Sequence, residues 1–408
     1  MAQDLMALQL SDFDISPQRG FLPHPDPITI LPFSEIFSPL EHMANKLPKL
    51  LAARAFRKEL DRFSDNVLCP VAQKAHAIIH TYVGTSAPII RRTKVIFDYL
   101  GQAYVWGENS PPIHVPPGFA QFWCCISEKI NLPPVLSYNS YILSNWHRLD
   151  PNKPIALGNI ATTQNFLGGL DEDWFILVHI DIEQRAGIIP WAIIRSLQAT
   201  ANKSTKHLET YLSMIEISLK IMLQTLSRMP ESCDEYIYYT RVRPYLHGWK
   251  NNPALPDGLL YQGVTSHGNK PQQFRGESGA QSAIVPSLVA ALDIRHTETT
   301  FSPYLKEMHA YMPRGHRRFI ETVEQFSQNG NSILDFVIER KQSNPRLYTM
   351  YRGCRQALYN FRRKHYEYVW RYINSQNQEH AGNPTSVGTA GTPFMTSLKQ
   401  LMDETWFE

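Results

Sequence analysis

The sequence predicts an all-α protein built from two helical domains. Three observations carry this. Apolar residues recur at spacings of three and four through both halves of the chain, the period of one helical face. Hairpin signals are few, and Asn329-Gly330 lies between two helical patterns rather than between strands. No repeat of roughly 20–50 residues suggests a solenoid or propeller.

The elements follow in order. Residues 1–40 are proline-rich; "SPQRGFLPHPDPITILPFSE" interrupts a helix at each proline and reads as an extended arm laid over a core. From about residue 44, "ANKLPKLLAARAFRKELDRF" sets Leu50, Leu51, Ala53, Phe56, Leu60 and Phe63 near one helical face. "VAQKAHAIIHTYVG" and "IRRTKVIFDYLGQAYVWG" are two further helices, each closed by a glycine. "GFAQFWCCISEKI" follows Pro116-Pro117 as another. Residues 149–172 read as a linker, which places a domain boundary near residue 165, with a smaller N-terminal domain 1–165 and a larger domain 166–408. The second half holds the long amphipathic "KHLETYLSMIEISLKIMLQTLSRM", then "HRRFIETVEQFSQ", "SILDFVIERK" and a helix from about 343 to 376. The Gly/Ser/Thr/Asn-rich stretch 374–392 reads as a mobile loop, and "PFMTSLKQLMDETW" as a last short helix.

Composition narrows the function. The chain has 408 residues, 43% hydrophobic and 19% charged, a globular balance rather than a disordered one. A net charge of +3, without a run of five or six like charges, argues against a nucleic-acid partner. Five cysteines without a CxxC pair suit free thiols in a reducing compartment. No apolar run approaches the roughly 20 residues needed to span a bilayer, and the start carries Asp4, Asp12 and Asp14 rather than a secretory pattern. A cytoplasmic protein without a membrane partner is expected.

Standard catalytic signatures are missing: no GxGxxG, no GxxxxGK[ST] and no HExxH occurs. "GESGA" at 276–280 departs from the GxSxG nucleophile elbow. His76 and His80 in "HAIIH" share a helical face, but without the glutamate of HExxH they read as a packed or surface pair. "HIDIE" would offer His179, Asp181 and Glu183 to a metal from one face of a strand; on a helix the three would spread around the axis. In the long C-terminal helix, Cys354, Leu358, Phe361, His365, Tyr368 and Tyr372 form one apolar stripe. His365 is therefore a hydrogen-bonded core histidine or an axial ligand to haem iron. Arg241 and Arg243 sit among Tyr238, Tyr239, Tyr245 and Trp249. An arginine fork among flat rings suits a carboxylate beside a planar group, and equally suits surface stacking. Arg362, Arg363 and Lys364 offer charge to propionates, or form a solvated helix face.

Several stretches together add what periodicity does not: "RGFLPHPDP", "ILSNWHRLDPNKP", "RPYLHGWKNNPALPDGLLYQG", "FRGESGAQSAIVPSL", "YMPRGHRRF", "FRRKHYEYVWRYI" and "GTAGT". Over nearly its whole length the sequence resembles the indoleamine 2,3-dioxygenase family. The resemblance implies an all-helical two-domain fold with haem b in the larger domain and the smaller one covering the distal pocket. It implies dioxygen as co-substrate, a small indole substrate, an electron donor that keeps iron ferrous, and N-formylkynurenine as product; the sequence leaves the oligomeric state open, a monomer being the expectation. His365 matches the proximal iron ligand and Arg243 the partner of the substrate carboxylate. Tyr138 and Phe175 match pocket residues, Ser278-Gly279-Ala280 the distal serine loop, and "GTAGT" a closing loop with Thr392 near the substrate amino group.

The departures from the family pattern are specific. His179 stands where familiar animal members have a distal serine; the related tryptophan 2,3-dioxygenases carry a distal histidine. A distal histidine can accept the indole N–H, hydrogen-bond to iron-bound oxygen, or bind iron itself and block oxygen. Tyr238-Tyr239 replace a Phe-Phe pair, Tyr141 a cysteine and Glu277 a loop glycine. Val289 replaces the aspartate that pairs with the arginine matching Arg362, leaving Arg362 to find another partner, a propionate being the expected one. Three readings follow: a tryptophan-cleaving dioxygenase, a haem oxygenase of the same fold acting on a modified indole, and a non-catalytic haem sensor with His179 as second iron ligand.

Overall fold

The computed structural model describes residues 2–298, 301–376 and 383–406. Helices dominate, and the strands among these residues form two small sheets. His114–Val115 pairs parallel with Leu260–Tyr261, and Trp146–Arg148 pairs antiparallel with Ile160–Thr162. The principal helices are α1 (Ala87–Trp106), α2 (Pro117–Ile130), α3 (Leu170–Arg185), α4 (Ile189–Ala201), α5 (Thr205–Leu226), α6 (Arg314–Phe326), α7 (Pro345–Val369) and α8 (Met395–Asp403). None of the described helices is long and apolar enough to cross a membrane.

The N-terminal half is organised around α1, buried from Arg92 to Val105. Burying so polar a stretch requires internal pairing. Lys94 donates to Asp98 one turn on, and Asp98 also accepts from Trp123 Nε1 at 2.7 Å and Ser140 Oγ at 2.6 Å. In the second half α5 packs on α3, α4 and α7. α7 begins with Pro345 behind an Asn344 cap whose side chain accepts from the Leu347 amide at 3.1 Å. Buried apolar residues from both sides of residue 165 join in one continuous core.

Four expectations are revised. Within the stretch read as an extended arm, Ala2–Ala7 is helical, Leu10–Phe13 forms a 3-10 turn and the helix Phe37–Asn45 begins. The stretch does lie over a core, that of the second half: Phe13 meets Phe319 edge-on at 5.4 Å, and Gln198 Nε2 donates to the Leu5 carbonyl at 3.0 Å. The helix read from residue 44 breaks into Leu47–Ala52 and Phe56–Phe63, because Arg54 adopts φ 53°. The stretch 149–172 contains the strand Ile160–Thr162 and is anchored by Asn145, whose side chain accepts from the Gln164 amide at 2.8 Å. Of the mobile loop expected over 374–392, residues 377–382 lie outside the described residues, while 383–392 are held against the body by the contacts given below.

α3 carries "HIDIE", which settles the strand-or-helix alternative in favour of the helix. Apolar residues surround its axis because it is buried between α5 and the turn Asn139–Leu143, so no single face stands out in the sequence. His179 and Glu183 lie one turn apart on one side. Asp181 points away and accepts from Thr225 Oγ1 at 3.1 Å. Among the described residues no group of three or more His, Cys, Asp or Glu could hold a metal ion, so that reading of the motif is set aside.

Candidate functional site

The site begins with two histidines on different helices. The side chain of His365 of α7 is set among neighbouring residues but keeps exposed surface, within electrostatic reach of His179 and Arg362. Burial, the nearby His179 and Arg362 push its pKa down to about 4, so it is neutral at physiological pH. Its ring makes no hydrogen bond among the described residues. His179 of α3 is held the other way: Nδ1 lies 2.7 Å from the Phe175 carbonyl and donates to it, which leaves Nε2 as an acceptor. Burial lowers its pKa as well. A neutral imidazole with exposed surface, no hydrogen bond among the described residues and a second histidine within electrostatic reach fits the donor set that holds haem b.

Around His179 stands a wall of rings. Phe175 lies 4.5 Å from His179 and stacks on Tyr238 at 4.8 Å; Tyr141 lies 6.3 Å from Phe175, and Tyr138 is edge-on to His179 at 6.4 Å. The Tyr138 hydroxyl is engaged: it donates to Glu183 at 3.0 Å, as Ser282 Oγ does at 2.7 Å. The Tyr141 hydroxyl is fully buried and has no hydrogen-bond partner among the described residues. Burial raises the pKa values of all three tyrosines, so they stay protonated.

The roof is the loop 274–282 packed against 383–392. Gly276 is required there: a Cβ would stand 2.2 Å from the Leu246 carbonyl, 2.3 Å from the Gly248 nitrogen and 2.6 Å from the Thr389 carbonyl. The next residue is pinned through its main chain: the Glu277 amide donates to Leu246 at 3.0 Å and its carbonyl accepts from Thr389 Oγ1 at 2.5 Å. The Glu277 side chain is 4% exposed and has no hydrogen bond or ion pair among the described residues. Burial pushes it up to about 8. Ser278 caps a short turn over Gly279–Gln281, accepting from the Ala280 amide, and its Oγ lies 3.4 Å from the Tyr304 hydroxyl. Thr392 reaches the same tyrosine, so Tyr304 ties the two loops together.

Arg243 is fully buried behind this roof. Its fork donates to the Asn383 side-chain oxygen, to the Pro384 carbonyl at 2.9 Å and to the Val387 carbonyl at 2.6 Å. Asn383 in turn donates to the Tyr239 carbonyl at 2.8 Å and accepts from the Tyr239 hydroxyl, through its own carbonyl, at 2.7 Å. The arginine expected to face a substrate carboxylate therefore spends its donors on the C-terminal loop.

Arg362 also departs from expectation. It donates to Thr405 Oγ1 and to the Leu401 carbonyl at 2.6 Å, and sits 3.4 Å from His296 Nε2. Nδ1 of that histidine lies 2.7 Å from Glu404. In place of an aspartate at 289, the protein partner it finds is the C-terminal segment. Arg363 and Lys364 lean on Glu367 at the surface, as a solvated face would. His76, on an exposed edge, contacts Cys125 and Glu128.

Three side chains of the site escaped the sequence. Tyr304 and Asn383 lie in no motif, and Glu183 was weighed only as a metal ligand. The one available signal was that Glu183 follows His179 by a single helical turn.

Comparison with known proteins agrees with this architecture. The sequence profile of the family described as indoleamine 2,3-dioxygenase matches residues 9–407. Similar proteins include human indoleamine 2,3-dioxygenase 2, 30% identical over 98% of this chain and 95% of its own length. Rat indoleamine 2,3-dioxygenase 1 is 32% identical over 97% and 94%. The indoleamine 2,3-dioxygenase nanC of Aspergillus nanangensis is 29% identical over 98% and 96%. With two histidines of different helices within electrostatic reach of one another and the match running over almost the full length, the chain belongs to the indoleamine 2,3-dioxygenase family.

Proposed function

We propose that this chain is a haem-dependent dioxygenase that opens the C2–C3 bond of the indole ring of L-tryptophan or a related indoleamine, giving N-formylkynurenine or the matching N-formyl product. The observation that carries the proposal is the placement of His365 and His179 on α7 and α3, both neutral and within electrostatic reach of one another. His365 would hold haem b through its free ring nitrogen. Bound haem supplies the activation of dioxygen, so the chain needs no general base.

The remaining residues bind and orient. Phe175, Tyr141 and Tyr238 form a flat wall against which an indole ring stacks and from which water is excluded. His179 Nε2, with the proton held on Nδ1 by the Phe175 carbonyl, accepts the indole N–H. Tyr138 holds the wall in place through Glu183. Ser278, Gly279, Ala280 and Thr392 close the roof. A substrate carboxylate would reach Arg243 only by displacing Asn383 and Val387 from it.

The test is turnover of the reduced, haem-loaded protein under isotopically heavy dioxygen, with L-tryptophan and tryptamine offered separately and the product weighed. Two heavy atoms in an N-formyl product support the dioxygenase. One heavy atom supports an oxygenase on a modified indole, a reading that the altered Tyr141, Tyr238 and Glu277 favour. Bound haem without any product supports the sensor, which the free nitrogen of His179 favours.

A further inference from the structure

The polarity of the pocket is the opposite of what an amino-acid carboxylate requires. Its one arginine, Arg243, gives three hydrogen bonds to Asn383, Pro384 and Val387, and its remaining Nε is buried without a partner among the described residues. Among the described residues no cation is paired with the carboxyl of Glu277: Arg275, two residues before it, is turned to Glu307 at 2.8 Å and to the Ala390 carbonyl at 2.7 Å. Glu277 instead lies within electrostatic reach of Tyr99, Tyr138, Tyr141, Tyr238 and Tyr304. One of these hydroxyls, that of Tyr141, is buried and unpartnered among the described residues.

A carboxyl enclosed by protein without a hydrogen-bond partner among the described residues is costly, and such a group calls for a completing ligand, water or ion. The main chain of Glu277 is held on both sides, by Leu246 and Thr389, so the side chain cannot leave without opening the roof. The group that completes the site must donate hydrogen bonds, carry positive charge and tolerate ring faces. A protonated primary amine has these properties, being attracted both to a carboxylate and to tyrosine rings. A free carboxylate on the same ligand would find no positive partner at Glu277 and would find Arg243 occupied.

We propose that Glu277 is the specificity-determining residue of this pocket: it receives the protonated amine of the substrate side chain, and the chain prefers indolealkylamines that carry no free carboxylate. The proposal rests on the reading of this pocket as an indole site.

Binding to the haem-loaded protein tests it, read by calorimetry and by the ligand-induced change in the haem spectrum. The probes are tryptamine and indole-3-propionate, which share the ring and differ in the charged group. Tryptamine is expected to bind more tightly. Glu277→Gln, which keeps the shape, should weaken tryptamine by about 30-fold or more, the lower end of what removing one partner of a buried charge pair costs. It should leave indole-3-propionate unchanged or tighter. Glu277→Gly should repeat the pattern, and helical circular dichroism checks that both variants fold. Equal or tighter binding of indole-3-propionate, an unchanged tryptamine affinity in both variants, or no binding of either probe would overturn the assignment. Tryptamine binding that depends on Glu277, without any product under heavy dioxygen, would uphold the assignment and remove the dioxygenase reading instead.

Discussion

Arg243 and Asn383, 140 positions apart in sequence, are joined by a buried hydrogen bond that fastens the C-terminal loop to the wall of the pocket. Asn383 makes three further contacts there, two with Tyr239 and one with His247 Nε2 at 3.0 Å. The loop is thus a fixed part of the site in this state, and access to Arg243 requires its release.

Asn383→Ala should free the loop. It leaves buried donors of Arg243 and His247 without an acceptor, a loss of about 1–3 kcal/mol. The Gly388 and Gly391 amides, bonded within the loop at 2.9 and 2.8 Å, should exchange with solvent roughly 5- to 150-fold faster. Unchanged exchange would show that the loop is held elsewhere.

His365→Ala should fold and lose haem. Its helical circular dichroism is expected to match the parent, because the ring makes no hydrogen bond among the described residues, while haem content falls at least about ten-fold. A variant that kept its full haem complement would remove the ligand assignment.

Arg362→Leu should undock the C-terminal segment, since this guanidinium reaches Leu401, Thr405 and His296 together. A loss of about 1–3 kcal/mol follows from the stranded acceptors. It is expected as a drop in thermal midpoint of a few degrees, with Thr405→Val showing a smaller drop. Equal midpoints for Arg362→Leu and the parent would contradict the clamp.

Lys94→Met should destabilise the N-terminal half by about 3–5 kcal/mol, because it strands the buried Asp98 carboxylate. Urea denaturation followed at Trp123, which donates to the same carboxylate, reads the effect. The double variant Lys94→Met/Asp98→Leu should recover part of the loss; if it is worse than the single one, the pair is stabilising in its own right.

Stability should fall as pH rises from about 4.5 to 8. Burial pushes Glu183 up to about 7 and Glu277 up to about 8, from an ordinary value of 4.5. The folded state therefore keeps protons that the unfolded chain releases, and stability present below pH 4.5 is lost through the folded values. Glu277→Gln should gain on the parent with pH, with little difference at pH 4.5 and a gain on the order of 4 kcal/mol at pH 8.5. A pH-independent difference would mean that Glu277 is already ionised in the folded protein.

Much of the helical layout was legible because amphipathic faces announce themselves. α5 and the α7 stripe through Cys354, Leu358 and His365 were read directly from spacing. α3 was not, since it is covered on several sides and has no dominant face. The stripe left His365 open between core residue and ligand, because both need the same position on a helix. Family resemblance is what favours the ligand, and the haem content of His365→Ala tests it.

The sequence by itself determined the helical class, the family and the identity of the residues that could meet a haem and an indole. Only the tertiary structure decided which of them are free to do so. Tyr138 is occupied by Glu183, Arg243 by Asn383 and Arg362 by Thr405, while Glu277 and the Tyr141 hydroxyl have no partner among the described residues. Hydrogen-bond satisfaction depends on contacts between segments far apart in the chain, which no local pattern records, and in a buried pocket it decides which groups remain for a ligand.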